Sequence, residues 1–311
     1  MKKVEYSVVV PVYNGATTIV ELFDRTKKVF HDLNASFEII FVEDGGKDNS
    51  WEIIRSLYKQ YPEQIVGVRL SKNYGQHNAT FCGLDNASGQ FIITIDDDLQ
   101  TPPEEIKKLI QEYNSEKQPD AVYGFYRKKK HSRFRNLGSN ILRKYINTFF
   151  GISQRGSSFR LFARDINQHM LNHKSTMVFV DELLQWYAGN ITFTEVEHAE
   201  QKSGSGYSTI KLFRLFINII LYSTVTPLKI MIYGGFLIAS FNFVIGMVFI
   251  YRKMIYNVPI GFTALIVAIL FSTGILLFFL GIIGKYLGRI FVIQNQKPPY
   301  LIKRKLKKRA D

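Results

Sequence analysis

Two stretches near the C-terminus constrain this chain more than anything else in it. From Ile230 to Tyr251 there are 22 residues without a formal charge, and from Met254 to Gly284 another 31. A helix needs about 20 apolar residues to cross the hydrocarbon of a bilayer, and a helix buried in a soluble core rarely runs this long without a polar face. The pair therefore predicts two membrane-spanning helices, with a buried helical hairpin as the alternative. Mean hydropathy over the whole chain is close to zero, so the oily segment must be joined to a part that folds in water.

The charge distribution agrees with that division. The net charge is +14, with cations gathered in "RKKKHSRFR" (127–135), in the approach from Lys211 to Lys229, and in the tail "KRKLKKRAD" (303–311). Basic segments that flank spans stay cytoplasmic. The approach and the tail thus both point to the cytosol, which needs an even number of spans. Arg252 and Lys253 fall in the short outer loop and are outnumbered. Anionic lipid accounts for these clusters more simply than nucleic acid, so a membrane is the expected partner and a nucleic acid is not. The opening "MKKVEYSVVVPVYN" has a short apolar run broken by Pro11 and reads as a strand, not a secretion signal. A single cysteine, Cys82, excludes an internal disulfide and a cysteine-based zinc site.

Before residue 126, short runs rich in β-branched and aromatic residues ("YSVVVPVY", "FEIIFVED", "IVGVRLS", "QFIITIDDD", "DAVYGFY") alternate with amphipathic stretches of helical spacing. That alternation predicts an α/β fold, a mostly parallel sheet with helices on both faces. "SSFRLFARD" and "ITFTEVEHAEQ" add strands around the helix "DELLQWYAG", and Ser132–Phe150 reads as a basic, aromatic helix. The apolar, cation-flanked "LFRLFINIILYSTVTPLKI" suits a helix lying in the bilayer interface. Four segments result: an α/β domain at 1–208, interfacial helices at 209–228, the two spans at 229–285 and a basic tail at 286–311.

In parallel sheets ligands bind beyond the carboxyl ends of the strands, and three of those ends are polar. The first carries Pro11, Tyr13 and Asn14, the second Glu43, Asp44, two glycines and Asp48, the fourth Asp96, Asp97, Asp98 and Gln100. Each taken alone also suits a turn or a helix cap. Together they place hard oxygen ligands on one edge, suited to Mg²⁺ or Mn²⁺ with positions left for phosphate oxygens. Three adjacent carboxylates repel one another, so without a cation at least one should be hydrogen-bonded or hold its proton.

The motifs "VVVPVYN", "FVEDGGKDNS" and "IDDDLQTPP" resemble the GT-A family 2 glycosyltransferases, and "DDLQTPP" resembles the branch that transfers a sugar to polyprenyl phosphate. That branch holds dolichol-phosphate mannose synthase and bacterial undecaprenyl-phosphate enzymes. "LSKNYGQHNAT", "SSFRLFARD", "SGSGYSTIKL" and the two spans extend the resemblance over nearly the whole chain. It implies a Rossmann-like GT-A domain followed by interfacial helices and a two-helix transmembrane hairpin. It further implies that Asp96, Asp98 and Gln100 gather around the metal and the donor diphosphate. Pro11, Tyr13, Asn14, Asp44 and Asp97 would lie on the donor side, with Asp44 facing the base and Asp97 at a position that is often Ala in relatives. Arg127, Arg160 and Lys202 are its candidates for the acceptor phosphate, Arg127 also counting with Asp96 and Asp98 as catalytic.

Two departures stand out: Gly15 where relatives often have Glu, and Ser158 where many have an Asp suspected of acting as a base. A phosphate acceptor, with a second pKa of about 6, needs no strong base. The expected reaction is an inverting displacement at the inner membrane of a bacterium, with both termini cytosolic. UDP is the first nucleotide the resemblance suggests, GDP and dTDP remaining open, and a homo-oligomer, up to a tetramer, is implied. A processive polysaccharide synthase would carry Gln-x-x-Arg-Trp, whereas "LLQWYAGN" sets Gln185 beside Trp186. A catalytically silent nucleotide-sugar-binding scaffold would have no need of the acidic cluster.

Overall fold

The computed structural model describes residues 4–126, 157–172, 179–197, 226–256, 261–294 and 298–308. The basic helix expected at Ser132–Phe150 and nearly all of the interfacial segment at 209–228 lie outside them. The chain divides into two compact units, residues 1–203 with 296–311, and residues 204–295.

The first unit begins with β1 (Tyr6–Val12), α1 (Ile19–Asp32), β2 (Phe37–Glu43), α2 (Ser50–Gln60), β3 (Ile65–Leu70), α3 (Gln76–Asn86) and β4 (Phe91–Thr94). A short 3₁₀ turn (Pro103–Glu105) leads into α4 (Ile106–Tyr113), then β5 (Ala121–Tyr126), β6 (Arg160–Ala163), α5 (Arg164–Leu171), α6 (Val180–Tyr187) and β7 (Ile191–Val196). These join one eight-stranded sheet in the order β7-β5-β6-β4-β1-β2-β3-β8, where β8 is Ile302–Leu306. Only β6 and β8 run against the other strands.

The apolar runs of β1 and β2 are explained by their place: both are buried along their whole length, at the middle of a sheet covered on both sides. The period of two then sorts their side chains between two cores. Val8, Val10, Val12, Ile39 and Phe41 pack with Leu22 and Phe23 of α1, Trp51 and Ile54 of α2, and Leu109 of α4. Val9, Ile40 and Val42 pack with Leu84 of α3, Met170 of α5 and Leu184 of α6. Each such side chain, once fully buried, contributes about 1.5–3 kcal/mol.

The C-terminal residues differ from the expected tail. Ile302–Leu306 form an edge strand antiparallel to β3, with Gly67 opposite Leu306 and Leu70 opposite Ile302. Ile302 and Tyr300 pack on one core and Leu306 on the other. The exposed Lys303, Arg304 and Lys305 between them are the cations that keep a sheet edge from recruiting another strand. What reads in sequence as a basic tail thus alternates apolar anchors with charges.

In the second unit, α7 (Thr226–Tyr256) and α8 (Phe262–Gln294) are 31 and 33 residues long. Both contain an 18-residue window apolar enough to span a membrane, Met231–Val248 and Phe271–Gly288, and neither window is buried within the chain. A core hairpin would be covered. At 1.5 Å per residue either helix exceeds the roughly 30 Å of hydrocarbon. Arg252 and Lys253, expected in a loop, lie within the last two turns of α7, and α8 continues past Lys285 and Arg289.

If the edge strand is held by its apolar anchors, Leu306→Asp should lower the stability of the first unit by about 1–3 kcal/mol. Thermal unfolding of the detergent-solubilised protein, followed by tryptophan fluorescence from Trp51, measures it; an unchanged transition would show that β8 adds nothing.

Candidate active site

β1 pairs with β2 on one side and β4 on the other, both parallel. The chain therefore leaves the carboxyl ends of β1 and β4 in opposite directions, and a crevice opens between them. The polar strand ends identified in the sequence meet there. Pro11, Tyr13, Asp44, Asp96, Asp97 and Asp98 line a cavity of about 260 Å³, joined by Asn73, Gly75 and Gln76 from the β3–α3 loop. A second cavity, about 270 Å³, is lined by Asp96, Asp98, Gln100, Thr101, Tyr126, Ser157 and Ser158. Asp96 and Asp98 belong to both and form the wall they share.

Asp96 is fixed from two sides. Gln76 donates its side-chain N–H to Oδ1 at 2.6 Å, and Ser158 donates its hydroxyl to Oδ2 at 2.5 Å. Burial raises the Asp96 pKa and the charge of Asp98 adds to this, while the Ser158 and Gln76 hydrogen bonds oppose it. Asp97 turns the other way and accepts the Tyr13 N–H on Oδ2 at 3.1 Å. Burial, then the charges of Asp98 and Asp96, push its pKa up to about 7. Asp96 and Asp97 thus offset the repulsion with hydrogen bonds, and burial beside two carboxylates favours the protonated form of Asp97. Asp98 is the exposed one; its Oδ1 accepts the Gln100 N–H at 3.0 Å across Leu99, which takes the left-handed conformation (φ 57°). A left-handed leucine is uncommon, and such strain persists only where the surroundings fix it.

Asp44 is buried, and its two oxygens accept the N–H groups of Tyr74 (2.7 Å) and Gly75 (2.8 Å). Burial raises its pKa against those bonds. It ties the β3–α3 loop to the end of β2, and the loop comes so close that a Cβ on Gly45 (φ 68°) would sit 2.5 Å from the Asn73 nitrogen. Asn14 is also left-handed (φ 56°) and lines neither cavity; its Oδ1 accepts the Lys47 N–H at 2.9 Å and braces the loops after β1 and β2 against each other. Glu43 is buried, accepts the Gly46 N–H and pairs with Arg69.

Of the three cations proposed for an acceptor phosphate, Arg127 and Lys202 lie outside the described residues. Arg160 is otherwise engaged: it is 3% exposed, pairs with Asp181 at 2.7 Å, and lines neither cavity. Its guanidinium also reaches Thr94 Oγ1 at 3.3 Å, and Thr94 donates to the Ser158 carbonyl at 2.5 Å. Arg160 therefore braces the backbone that presents Ser158 to Asp96. Charge in a sequence does not reveal burial, and the antiparallel β6 turns this arginine inward beside β4. Gln76 was given no role in the sequence; the signal for it was its place just beyond the third parallel strand, on the same ligand-binding edge.

The donor set fits a small divalent cation. Asp96, Asp98 and Gln100 are all hard oxygen donors facing one cavity, and such ions bind through one or two carboxylates plus substrate phosphates. No cluster of three acidic, histidine or cysteine ligands occurs among the described residues, so the protein alone would leave positions open.

Gly15 is explained by Asp97. A Cβ at position 15 would lie 2.4 Å from Asp97 Oδ2 and 3.2 Å from Val12 Cγ1. Gly15→Ala should destabilise the protein by about 1–3 kcal/mol. In an Asp97→Ala background the same change should cost less than half as much, a coupling that a double-mutant cycle of melting curves would read. Additive effects would mean that the two positions do not conflict.

Residues 7–181 match the model of glycosyl transferase family 2. The undecaprenyl-phosphate 4-deoxy-4-formamido-L-arabinose transferase of Serratia proteamaculans is 34% identical over 310 residues, 98% of this chain and 94% of that protein. The enzyme of the same name from Shewanella sediminis is 31% identical over 302 residues, 95% and 91% of the two chains. Among solved structures, glucosyl-3-phosphoglycerate synthase from Mycobacterium tuberculosis with Mn²⁺, UDP and phosphoglyceric acid is 16% identical, with a TM-score of 0.49 over 70% of this chain and 76% of that one. With the family model covering more than half of its length, this chain belongs to glycosyltransferase family 2.

Proposed function

We propose that the protein transfers a sugar from a nucleotide-sugar to undecaprenyl phosphate, or a similar polyprenyl phosphate, at the cytosolic face of the bacterial inner membrane. The observation that carries this reading is the wall formed by Asp96 and Asp98 between two cavities. One cavity is bounded by strand ends suited to a nucleotide and the other by hydroxyls. A donor and an acceptor placed on either side would meet at the carboxylates. The relatives' printed names supply the acceptor.

On the donor side, Tyr13 presents a half-exposed ring beside Pro11 against which a base can stack. Asp44, anchored by backbone N–H groups, keeps lone pairs for the base. Asp96, Asp98 and Gln100 would hold Mg²⁺ or Mn²⁺, whose contribution when bound is to offset the negative charge that develops on the nucleoside diphosphate. The acceptor's phosphate oxygen attacks the anomeric carbon from the face opposite the diphosphate, a C–O bond forms there, and the bond to the diphosphate breaks with its electron pair. Configuration inverts. At neutral pH the phosphate is already largely dianionic, since its second pKa is about 6. Ser158 is accordingly free to orient Asp96 instead of removing a proton. Arg127 and Lys202 remain the proposed cations for the acceptor phosphate.

The covalent path of the chain supports both parts of the sheet-bearing unit lying on one side of the membrane, and the flanking cations favour the cytosolic side. It leaves the sheet-bearing unit before residue 204 and re-enters it after 295, so α7 and α8, if both cross the bilayer, return it to the side it left. Neither membrane window contains more than two charged residues, which suits an anchor more than an ion or sugar path.

Purified protein incubated with undecaprenyl phosphate, Mg²⁺ or Mn²⁺ and a panel of UDP-, GDP- and dTDP-sugars should yield a glycosylated lipid phosphate by mass spectrometry. Asp98→Ala should reduce the rate at least 100-fold, the scale of one strong transition-state contact, while the protein stays folded and membrane-bound. Full activity of that variant, or in excess chelator, would falsify the metal-dependent reading.

A further inference from the structure

We propose that the residues leading into β8, Tyr300 to Ile302, position the donor-side loop Lys72–Gly75 and so tune nucleotide affinity; the inference rests on the donor-cavity assignment above. The loop is held on its inner side by Asp44, which accepts the N–H groups of Tyr74 and Gly75. Its outer side is held by the C-terminal segment. The Ser71 N–H, one residue before the loop, donates to the Leu301 carbonyl at 2.9 Å. The Tyr300 hydroxyl donates to Asp85 Oδ2 at 3.0 Å, in the C-terminal turn of α3, the helix whose first turn follows the loop.

One contact holds the chain just before the loop; the other holds the far end of α3, the rigid helix that carries the loop's other end. Register adds to this: the β3–β8 ladder shifts between Arg69 and Leu70, so the last pairing, Leu70 with Ile302, is set separately from those before it. The loop so held contributes Asn73 and Gly75 to the donor cavity and hands over to Gln76, which fixes Asp96. An error in its position moves one wall of the nucleotide site directly and reaches the second cavity only through the Gln76–Asp96 hydrogen bond, the rest of that cavity lying at the ends of β4 and β5 and just before β6.

The test uses full-length protein in detergent with Mn²⁺, titrated with UDP, GDP and dTDP by calorimetry. For the nucleotide that wild-type protein binds most tightly, Tyr300→Phe and Asp85→Ala should each weaken binding three- to tenfold, and the double variant no further, because both remove the same bond. The KM for donor should rise in parallel and by more than kcat falls, with the KM for polyprenyl phosphate within twofold of wild type. Leu306→Asp, at the far end of β8, serves as the control: it should lower the melting temperature with nucleotide affinity retained. Unchanged affinity in Tyr300→Phe, or an equal loss in Leu306→Asp, overturns the proposal. Wild-type protein that binds none of the three nucleotides overturns the donor-site reading itself and this proposal with it.

Discussion

Parallel pairing of β1 with both β2 and β4 is the constraint on which the rest of the first unit depends. Because β1 is buried along its whole length, its backbone groups must be paired on both edges, and its neighbours' directions decide where the chain goes next. With β2 and β4 parallel to it on opposite sides, the connections diverge at the carboxyl ends and leave a crevice between them. Pro11, Asp44 and Asp96 reach the crevice from strand ends, and Asn73 and Gln76 reach it from the β3–α3 connection. That is why short segments far apart in sequence, at Pro11, Asp44 and Asp96, face one cavity.

The crevice concentrates negative charge, and the protein handles the three carboxylates separately. Asp96 is oriented by Gln76 and Ser158, Asp97 is withdrawn against the β1 loop, where the missing Cβ of Gly15 makes room for it, and Asp98 is left exposed. Only Asp96 and Asp98 face both cavities. Of the acidic triplet, two carboxylates thus line both cavities and the third lines the first alone. Buried Arg160 takes part at one remove, bracing the segment before β6 that carries Ser158.

Much of this was legible beforehand. Alternating apolar runs and amphipathic stretches announced a parallel sheet with helices on both faces, because a strand buried on both sides has to be apolar throughout. The acidic triplet after β4 announced a ligand-binding edge, because like charges at a strand end need a counter-ion or donors. Burial and partnership were not legible. Arg160 and Arg127 look alike as letters, yet Arg160 is turned inward onto Asp181. Glycine at 15 could be noted as a departure, but its reason, an Asp97 oxygen 2.4 Å from where a Cβ would be, exists only once β1 and β4 lie side by side.

The basic C-terminus marks the same boundary most clearly. Composition settled that the chain combines a water-soluble α/β part with two long apolar helices, since hydropathy and strand periodicity are local properties written in consecutive residues. Pairing is not local. Whether "LIKRKL" is a solvated tail or the eighth strand depends on β3 having a free edge and on cores able to take Ile302 and Leu306, and those partners lie more than two hundred residues away in the chain. The sequence determined which segments are apolar, charged or polar at a strand end; the tertiary structure alone decided which of them meet.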